Sequence, residues 1–152
     1  MKGEVALITG SARGIGKATA LRFGREGYQV VVCDQAAAES CGQVVDEIRG
    51  SGGIAVAISC DVTEPLRVKE MTKQVIAAFG RLDVLVNNAG LAKDNLLPRI
   101  TDEEWFQIIN TNLTGTFLCT RAAIRQMIKQ RHGHIINISS VVGLRGNPGQ
   151  SH

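Results

Sequence analysis

Five short apolar runs rich in β-branched residues recur along the chain: Val5–Ile8, Val30–Cys33, Ile54–Ile58, Val84–Val86 and Ile135–Ile138. Runs of this length without polar alternation suit strands that are covered on both faces. Between them the apolar period changes. Cys41, Val44, Val45 and Ile48 recur at helical steps, as do Val68, Met71, Val75 and Phe79. Gly16, Ala20 and Phe23, with Ile15 and Ala18, predict a broad stripe on the first helix facing the sheet. Thr63 is placed to cap a helix with Pro65 in its first turn, and Thr101-Asp102-Glu103-Glu104 reads as a capping box. Strand–helix alternation requires right-handed crossovers. The pattern therefore predicts an α/β fold, a doubly wound parallel sheet between two helical layers with strand order 3-2-1-4-5. The 152 residues are expected to form one domain with a substantial core.

In such a sheet ligands bind outside the carboxyl ends of the strands, at the point where strand order reverses. The chemistry-bearing residues fall there. Thr9-Gly10-Ser11-Ala12-Arg13-Gly14-Ile15-Gly16 joins the first run to the first helix. Glycine permits a sharp turn and close approach to a ligand, and a helix start presents unpaired N–H groups to an anion. A plain structural turn would use the same glycines. Asp34 closes the second run, where a carboxylate accepts from adenosine ribose hydroxyls and repels a 2′-phosphate, favouring NAD. Arg13 pulls toward NADP, because a guanidinium pairs with that phosphate. Asp61-Val62 follows the third run, where a carboxylate can accept from an adenine amino group. Asn87-Asn88-Ala89-Gly90 follows the fourth, leaving room for a ribose against backbone, although a simple Asn–Gly turn gives a similar string. Asn112 falls in phase with Trp105, Ile108 and Ile109 on the expected buried face of a helix, where an amide needs a partner. Ser139-Ser140 ends the fifth run, as a cap or as a catalytic hydroxyl.

Composition excludes several classes. A net charge of +3 and 4% aromatic content argue against a nucleic-acid binder. No run is long enough to cross a bilayer, and Met1-Lys2-Gly3-Glu4 opens without a signal-peptide pattern, so a cytoplasmic location is expected. Cys33, Cys41, Cys60 and Cys119 show no metal-ligand spacing, and reduced buried thiols are expected, with Cys33 and Cys60 at strand ends.

Taken together, Thr9–Gly16, Asp34, Asp61-Val62, Asn87–Gly90, Asn112 and Ser140 resemble the short-chain dehydrogenase/reductase family over essentially the whole chain. Asp94-Asn95-Leu96-Leu97, Asp102-Glu103-Glu104-Trp105 and Gly146-Asn147-Pro148-Gly149-Gln150 resemble its 3-oxoacyl-[acyl-carrier-protein] reductase branch. The resemblance implies a Rossmann-type fold and hydride transfer between NAD or NADP and a ketone or secondary alcohol, most specifically a 3-oxoacyl thioester. It implies that Gly10, Ser11, Arg13, Ile15 and Gly16 hold the pyrophosphate. Asp34 would hold the ribose, Asp61 and Val62 the adenine, and Asn88, Ala89 and Gly90 the central part of the cofactor. Ser140 would bond the substrate carbonyl, and Asn112 would anchor a water. Arg131 matches a basic position for docking an acidic carrier protein, or is a solvated cation at a helix end. The branch ordinarily takes NADPH, so Asp34 is a departure. A homotetramer is the common family assembly.

The family's Y-x-x-x-K motif, a phenol whose proton reaches the developing alkoxide with help from a lysine, does not occur. The one tyrosine, Tyr28, precedes the second run. The expected tyrosine position falls just beyond His152. The 152 residues are accordingly read as a dinucleotide-binding domain incomplete at its C-terminus, inactive alone, with Ile135, Ile136 and Ile138 on an open sheet edge and the remainder in a continuation or a second chain. The alternatives are a non-catalytic NAD-binding subunit and a sugar or steroid alcohol dehydrogenase of the same family.

Overall fold

The computed structural model describes residues 3–35 and 38–152, so Met1 and Lys2 of the N-terminal stretch lie outside the described residues. Five parallel strands are joined in the order β3-β2-β1-β4-β5. They are β1 (Val5–Thr9), β2 (Gln29–Asp34), β3 (Ile54–Ser59), β4 (Val84–Asn87) and β5 (His134–Asn137). The crossovers carry α1 (Gly14–Arg25), α2 (Ala38–Gly50), α3 (Pro65–Phe79), α4 (Asp102–Ile109) and α5 (Gly115–Gln130), and a short α6 (Val142–Arg145) follows β5. The predicted fold and strand order are both present.

Strand alternation sorts the core into two layers. Val5, Leu7, Val31, Cys33 and Leu85 face one way, against Val68, Met71 and Val75 of α3 and Leu118, Cys119 and Ala123 of α5. Ala6, Ile8, Val30, Val32, Val84 and Val86 face the other, against Ala20 of α1 and Cys41, Val44, Val45 and Ile48 of α2. Both faces of the central strands are thus dry. β5 is an edge, and Ile136 and Ile138 remain 41% and 42% exposed.

The helices depart from the sequence expectations in three places. α1 packs through small residues, Gly16, Ala20 and Gly24, while Ile15 and Ala18 lie outside the interface. A Cβ on Gly24 would stand 2.8 Å from Ile48 Cγ2, so this contact excludes larger side chains. Thr63 caps nothing: α3 starts after Glu64 without a side-chain cap, and the Thr63 hydroxyl and amide both donate to Asp61 Oδ1, at 2.7 and 2.8 Å. The segment after Thr101 is not one continuous helix. A π-turn over Asn110–Thr114 separates α4 from α5. The Thr101 capping box is present, Glu104 N donating to Thr101 Oγ1 at 3.2 Å and Thr101 N to Glu104 Oε2 at 3.2 Å.

Candidate dinucleotide site

Three glycines shape the turn between β1 and α1, each for a different reason. Gly14 adopts φ +57° in open space, a left-handed conformation that disfavours other residues. Gly10 combines φ +64° with close packing, since a Cβ there would lie 2.8 Å from Ala89 Cα. Gly16 is buried, and a Cβ on it would collide with the Gly10 carbonyl oxygen and Asn88 Nδ2. The start of α1 has no side-chain cap at Arg13 and no acidic residue in its first turn. Its first amides are therefore left to an anion.

The turn is fixed to its neighbours by hydrogen bonds that cross strands. Ser11 Oγ donates to Ile8 O at 2.7 Å and accepts from Cys33 N at 2.9 Å. Its hydroxyl faces inward and staples the turn to β2. On the other side Asn88 Nδ2 donates to Thr9 O and Gly10 O, both at 2.9 Å. Thr9 Oγ1 accepts from the amides of Asn88 and Ala89 at 3.1 and 3.0 Å. Asn87 Nδ2 donates to Asn137 Oδ1 at 2.8 Å and Thr120 Oγ1 at 3.1 Å, joining β4 to β5 and α5.

These elements enclose a cleft of about 360 Å³ at the carboxyl ends of the strands. Gly10, Arg13, Gly14 and Ile15 line it from the turn, Asp34 and Gln35 from β2, and Cys60, Asp61 and Val62 from the end of β3. Asn88, Ala89, Gly90 and Leu91 line it beyond β4, and Thr111 closes it from the π-turn. Asp34 Oδ2 accepts from Ala12 N at 3.1 Å, which sets the carboxylate against the glycine turn. Gly115 lets α5 approach the third wall, because a Cβ there would lie 2.7 Å from Val62 Cγ2.

Most of the residues read from the sequence meet in this cleft. Ser11 and Gly16 instead sit behind the lining as supports. Asn112 is a correction: it is exposed rather than buried, as is Trp105 at 40%. Its amide bonds the backbone of Leu91 in both directions, Leu91 N to Oδ1 and Nδ2 to Leu91 O, each at 2.9 Å. Trp105 precedes the π-turn, in α4, whereas Asn112 lies within it, so the turn bears on the phase of Asn112 alone. An extra residue in the turn rotates everything after it by about 100° relative to an unbroken helix. Ser140 lies outside the cleft lining, exposed beyond β5, where its Oγ accepts from Val142 N at 3.2 Å; the N-cap position of α6 is Val141. Arg131 ends α5 in a left-handed conformation, φ 56°, and is exposed.

Gln35, Cys60, Leu91 and Thr111 were missed. Gln35, Cys60 and Leu91 each adjoin a residue singled out by motif, which was the available signal. Thr111 reaches the cleft only through the π-turn, which the sequence does not announce. Tyr28 lies at the opposite end of β2, edge-on to Phe23 with centroids 4.9 Å apart. Burial and the nearby Glu4 carboxylate push its phenol up, away from neutral-pH proton donation. A larger groove of about 820 Å³ runs between α3 and α5, with apolar Leu66, Ile76 and Leu118 and basic Lys69, Arg121 and Arg125 among its walls. It holds none of the residues read as site residues.

A glycine turn into an uncapped helix start, an acidic strand end and an amide-braced fourth strand on a doubly wound sheet define a Rossmann-type class of α/β domain. Residues 4–152 match the family model described as short chain dehydrogenase. The chain belongs to the short chain dehydrogenase family. It is 50% identical over 146 residues to a 3-oxoacyl-[acyl-carrier-protein] reductase FabG of Staphylococcus aureus (strain Mu50), covering 96% of this chain and 59% of that one. The FabG reductase of Thermotoga maritima is 46% identical over 151 residues, 99% of this chain and 61% of its own. A solved structure from Sinorhizobium meliloti 1021, assigned to the short-chain alcohol dehydrogenases, superimposes with TM-score 0.95 at 32% identity, covering 99% of this chain and 60% of that one. The chain thus spans about three fifths of the length of the curated relatives it matches. Among the described residues no helix is long and apolar enough to cross a membrane, and no cluster of His, Cys, Asp or Glu could hold a metal ion.

Proposed function

We propose that this chain is the dinucleotide-binding part of a nicotinamide-dependent oxidoreductase that moves hydride between NAD(P) and a ketone or secondary alcohol. The substrate class we propose is a 3-oxoacyl thioester on an acyl carrier protein, as the names of the relatives suggest. The observation that carries the reading is the convergence of Arg13, Asp34, Asp61 and Gly90 on one cleft from the ends of different strands.

The residues fit the cofactor on structural grounds. The uncapped start of α1 and the Cβ-free turn suit a pyrophosphate, with Arg13 beside it. Asp34 would accept from ribose hydroxyls, Asp61 and Val62 would border the adenine, and Asn88, Ala89 and Gly90 would border the central portion. Asn112 would act through Leu91 by holding that wall in place. The bound nicotinamide would supply the hydride. Reduction of a ketone also needs a proton for the nascent alkoxide, and among the described residues the cleft lining contains no tyrosine, lysine or histidine. The 152 residues alone are therefore expected to bind without turnover. Turnover of an acetoacetyl thioester by them with NADH or NADPH would contradict that. Ser140 as carbonyl donor, Arg131 as a carrier-protein contact, a homotetramer and a cytoplasmic location belong to the same proposal.

Asp34 supports NAD over NADP in this reading. A carboxylate at the ribose repels a 2′-phosphate, so NADH should bind more tightly than NADPH. Asp34→Ser should shift that preference toward NADPH by about tenfold to a hundredfold, on the order of 1–3 kcal/mol. Calorimetric titration of both variants with both nucleotides measures this. An unchanged ratio would remove Asp34 from the ribose site, and no binding of either nucleotide would overturn the proposal.

A further inference from the structure

Three thiols and a thioether converge behind the wall next to Asp61. Cys33 comes from β2, Cys60 from the residue after β3, Met71 from α3 and Cys119 from α5, and all are buried in one cluster. Cys33 Sγ lies 3.3 Å from Met71 Sδ, Cys60 Sγ donates to Asp61 O at 3.5 Å, and the two thiols share this cluster. Cys60 alone of the four also lines the cleft. Each member of the Cys33–Cys60 pair immediately precedes a cleft carboxylate, Asp34 and Asp61 respectively. The two loops are already joined by Cys60 N donating to Asp34 O at 3.0 Å.

We propose that Cys60 and Cys33 are a peroxide-sensitive thiol pair whose oxidation to a disulfide closes the adenosine side of the cleft. The proposal rests on the dinucleotide reading of that cleft. The Cys60 sulfur attacks a peroxide oxygen, the O–O bond breaks, and a sulfenic acid and one water result. Cys33 then attacks the sulfenic sulfur, an S–S bond forms, the S–O bond breaks, and a second water leaves. Two thiols lose two protons and two electrons, and the peroxide is reduced to two waters.

Reactivity and geometry both favour Cys60 as the first thiol. The Cys33 thiol, with a smaller contribution from Arg67, pulls the Cys60 thiol down against burial and the adjacent Asp61 carboxylate. Burial pushes Cys119 up to about 12 and raises Cys41, so those two are internal controls. Cys33 is in register with Ile58, which places Cys60 diagonally across on the same face, past the end of β3. The two-residue offset along the strand, roughly 6–7 Å, is at the far end of ordinary disulfide reach. Closing the bond therefore draws the Cys60–Asp61 loop toward β2 and moves both carboxylates.

The test is differential alkylation and peptide mass mapping of the protein after graded hydrogen peroxide, with and without NADH. The expected result is a Cys33–Cys60 disulfide, formed about tenfold or more faster than oxidation of Cys41 or Cys119 and slowed by NADH. Oxidised protein should bind NADH at least about tenfold more weakly, and a dithiol should restore binding. Cys33→Ser should leave Cys60 as a sulfenic acid that a cyclic diketone traps, and Cys41→Ser should leave the response unchanged. Oxidation of Cys60 no faster than of Cys41, or NADH binding unaffected by the disulfide, would overturn the proposal. If the disulfide forms but the reduced protein binds no dinucleotide, the thiol pairing stands and the reading of the cleft falls.

Discussion

The ends of β1, β2 and β4 reach the same rim of the sheet as the end of β5, but the two regions are built differently. On the first side the turn, the strand ends and the fourth-strand loop are cross-braced: Ser11 to β2, Asn88 to Thr9 and Gly10, and Asp34 to Ala12. Val5, Leu7, Ile8, Val31 and Leu85 beneath them are at most 1% exposed. On the second side, Ser140 has one local hydrogen bond, from Val142 N, and Ile136 in β5 and Ile138 just after it are about two fifths exposed. The residues proposed to bind are thus held by contacts distant in sequence. The serine proposed to meet substrate is held by its own loop. The residues proposed for binding and for chemistry thus occupy separable regions of one rim.

Substitutions that load each side in turn can break this contrast. The largest effect is expected at Gly16→Val, where the new side chain meets the Gly10 carbonyl oxygen and Asn88 Nδ2. Denaturant unfolding should show a loss above about 3 kcal/mol. Gly14→Ala, at φ +57° but in open space, should cost only about 1 kcal/mol. Equal losses at the two would mean that conformation, rather than close approach, shapes the turn.

Asp83 sits under the same side, fully buried at the base of β4. It accepts from Arg81 Nε and Nη2, both at 2.7 Å, and from Val5 N at 2.8 Å. Burial pushes its carboxyl up, but the Arg81 guanidinium and the Val5 amide outweigh burial and leave it below the ordinary value. A depressed folded value means that the stabilisation is complete above the unfolded carboxylate value and is lost as pH falls through the folded one. Asp83→Asn should therefore cost about 3 kcal/mol near neutrality. The gap between the two melting curves should narrow as pH drops below 3.8, and a gap that ignores pH would contradict the assignment.

Thr101→Ala removes the capping box of α4 and should cost about 1 kcal/mol, with faster amide exchange confined to the first turn. Ser140→Ala should be the mildest, within about 0.5 kcal/mol. A loss there as large as at Gly16 would show that the β5 side is as tightly built as the cleft side, and the contrast would fail.

The sheet was legible because β-branched runs and glycine turns are local signals that tertiary packing reinforces. Asp34, Asp61 and Asn88 were legible because strand ends in a parallel sheet share one rim. Asn112 was misplaced because helical phase was counted across a π-turn that no residue type announces. Ile15 and Ala18 were misassigned because α1 approaches the sheet through its smallest residues, which hydrophobicity ranks low. Thr63 lost its capping role to Asp61, a competition between two local hydrogen bonds that spacing alone does not decide.

Hydrogen–deuterium exchange with and without NADH tests the central claim most directly. Protection is predicted for residues 10–17, 33–35, 60–63 and 87–91, with β5 and α6 unchanged. Protection absent from those segments, or centred on the groove between α3 and α5, would contradict the account.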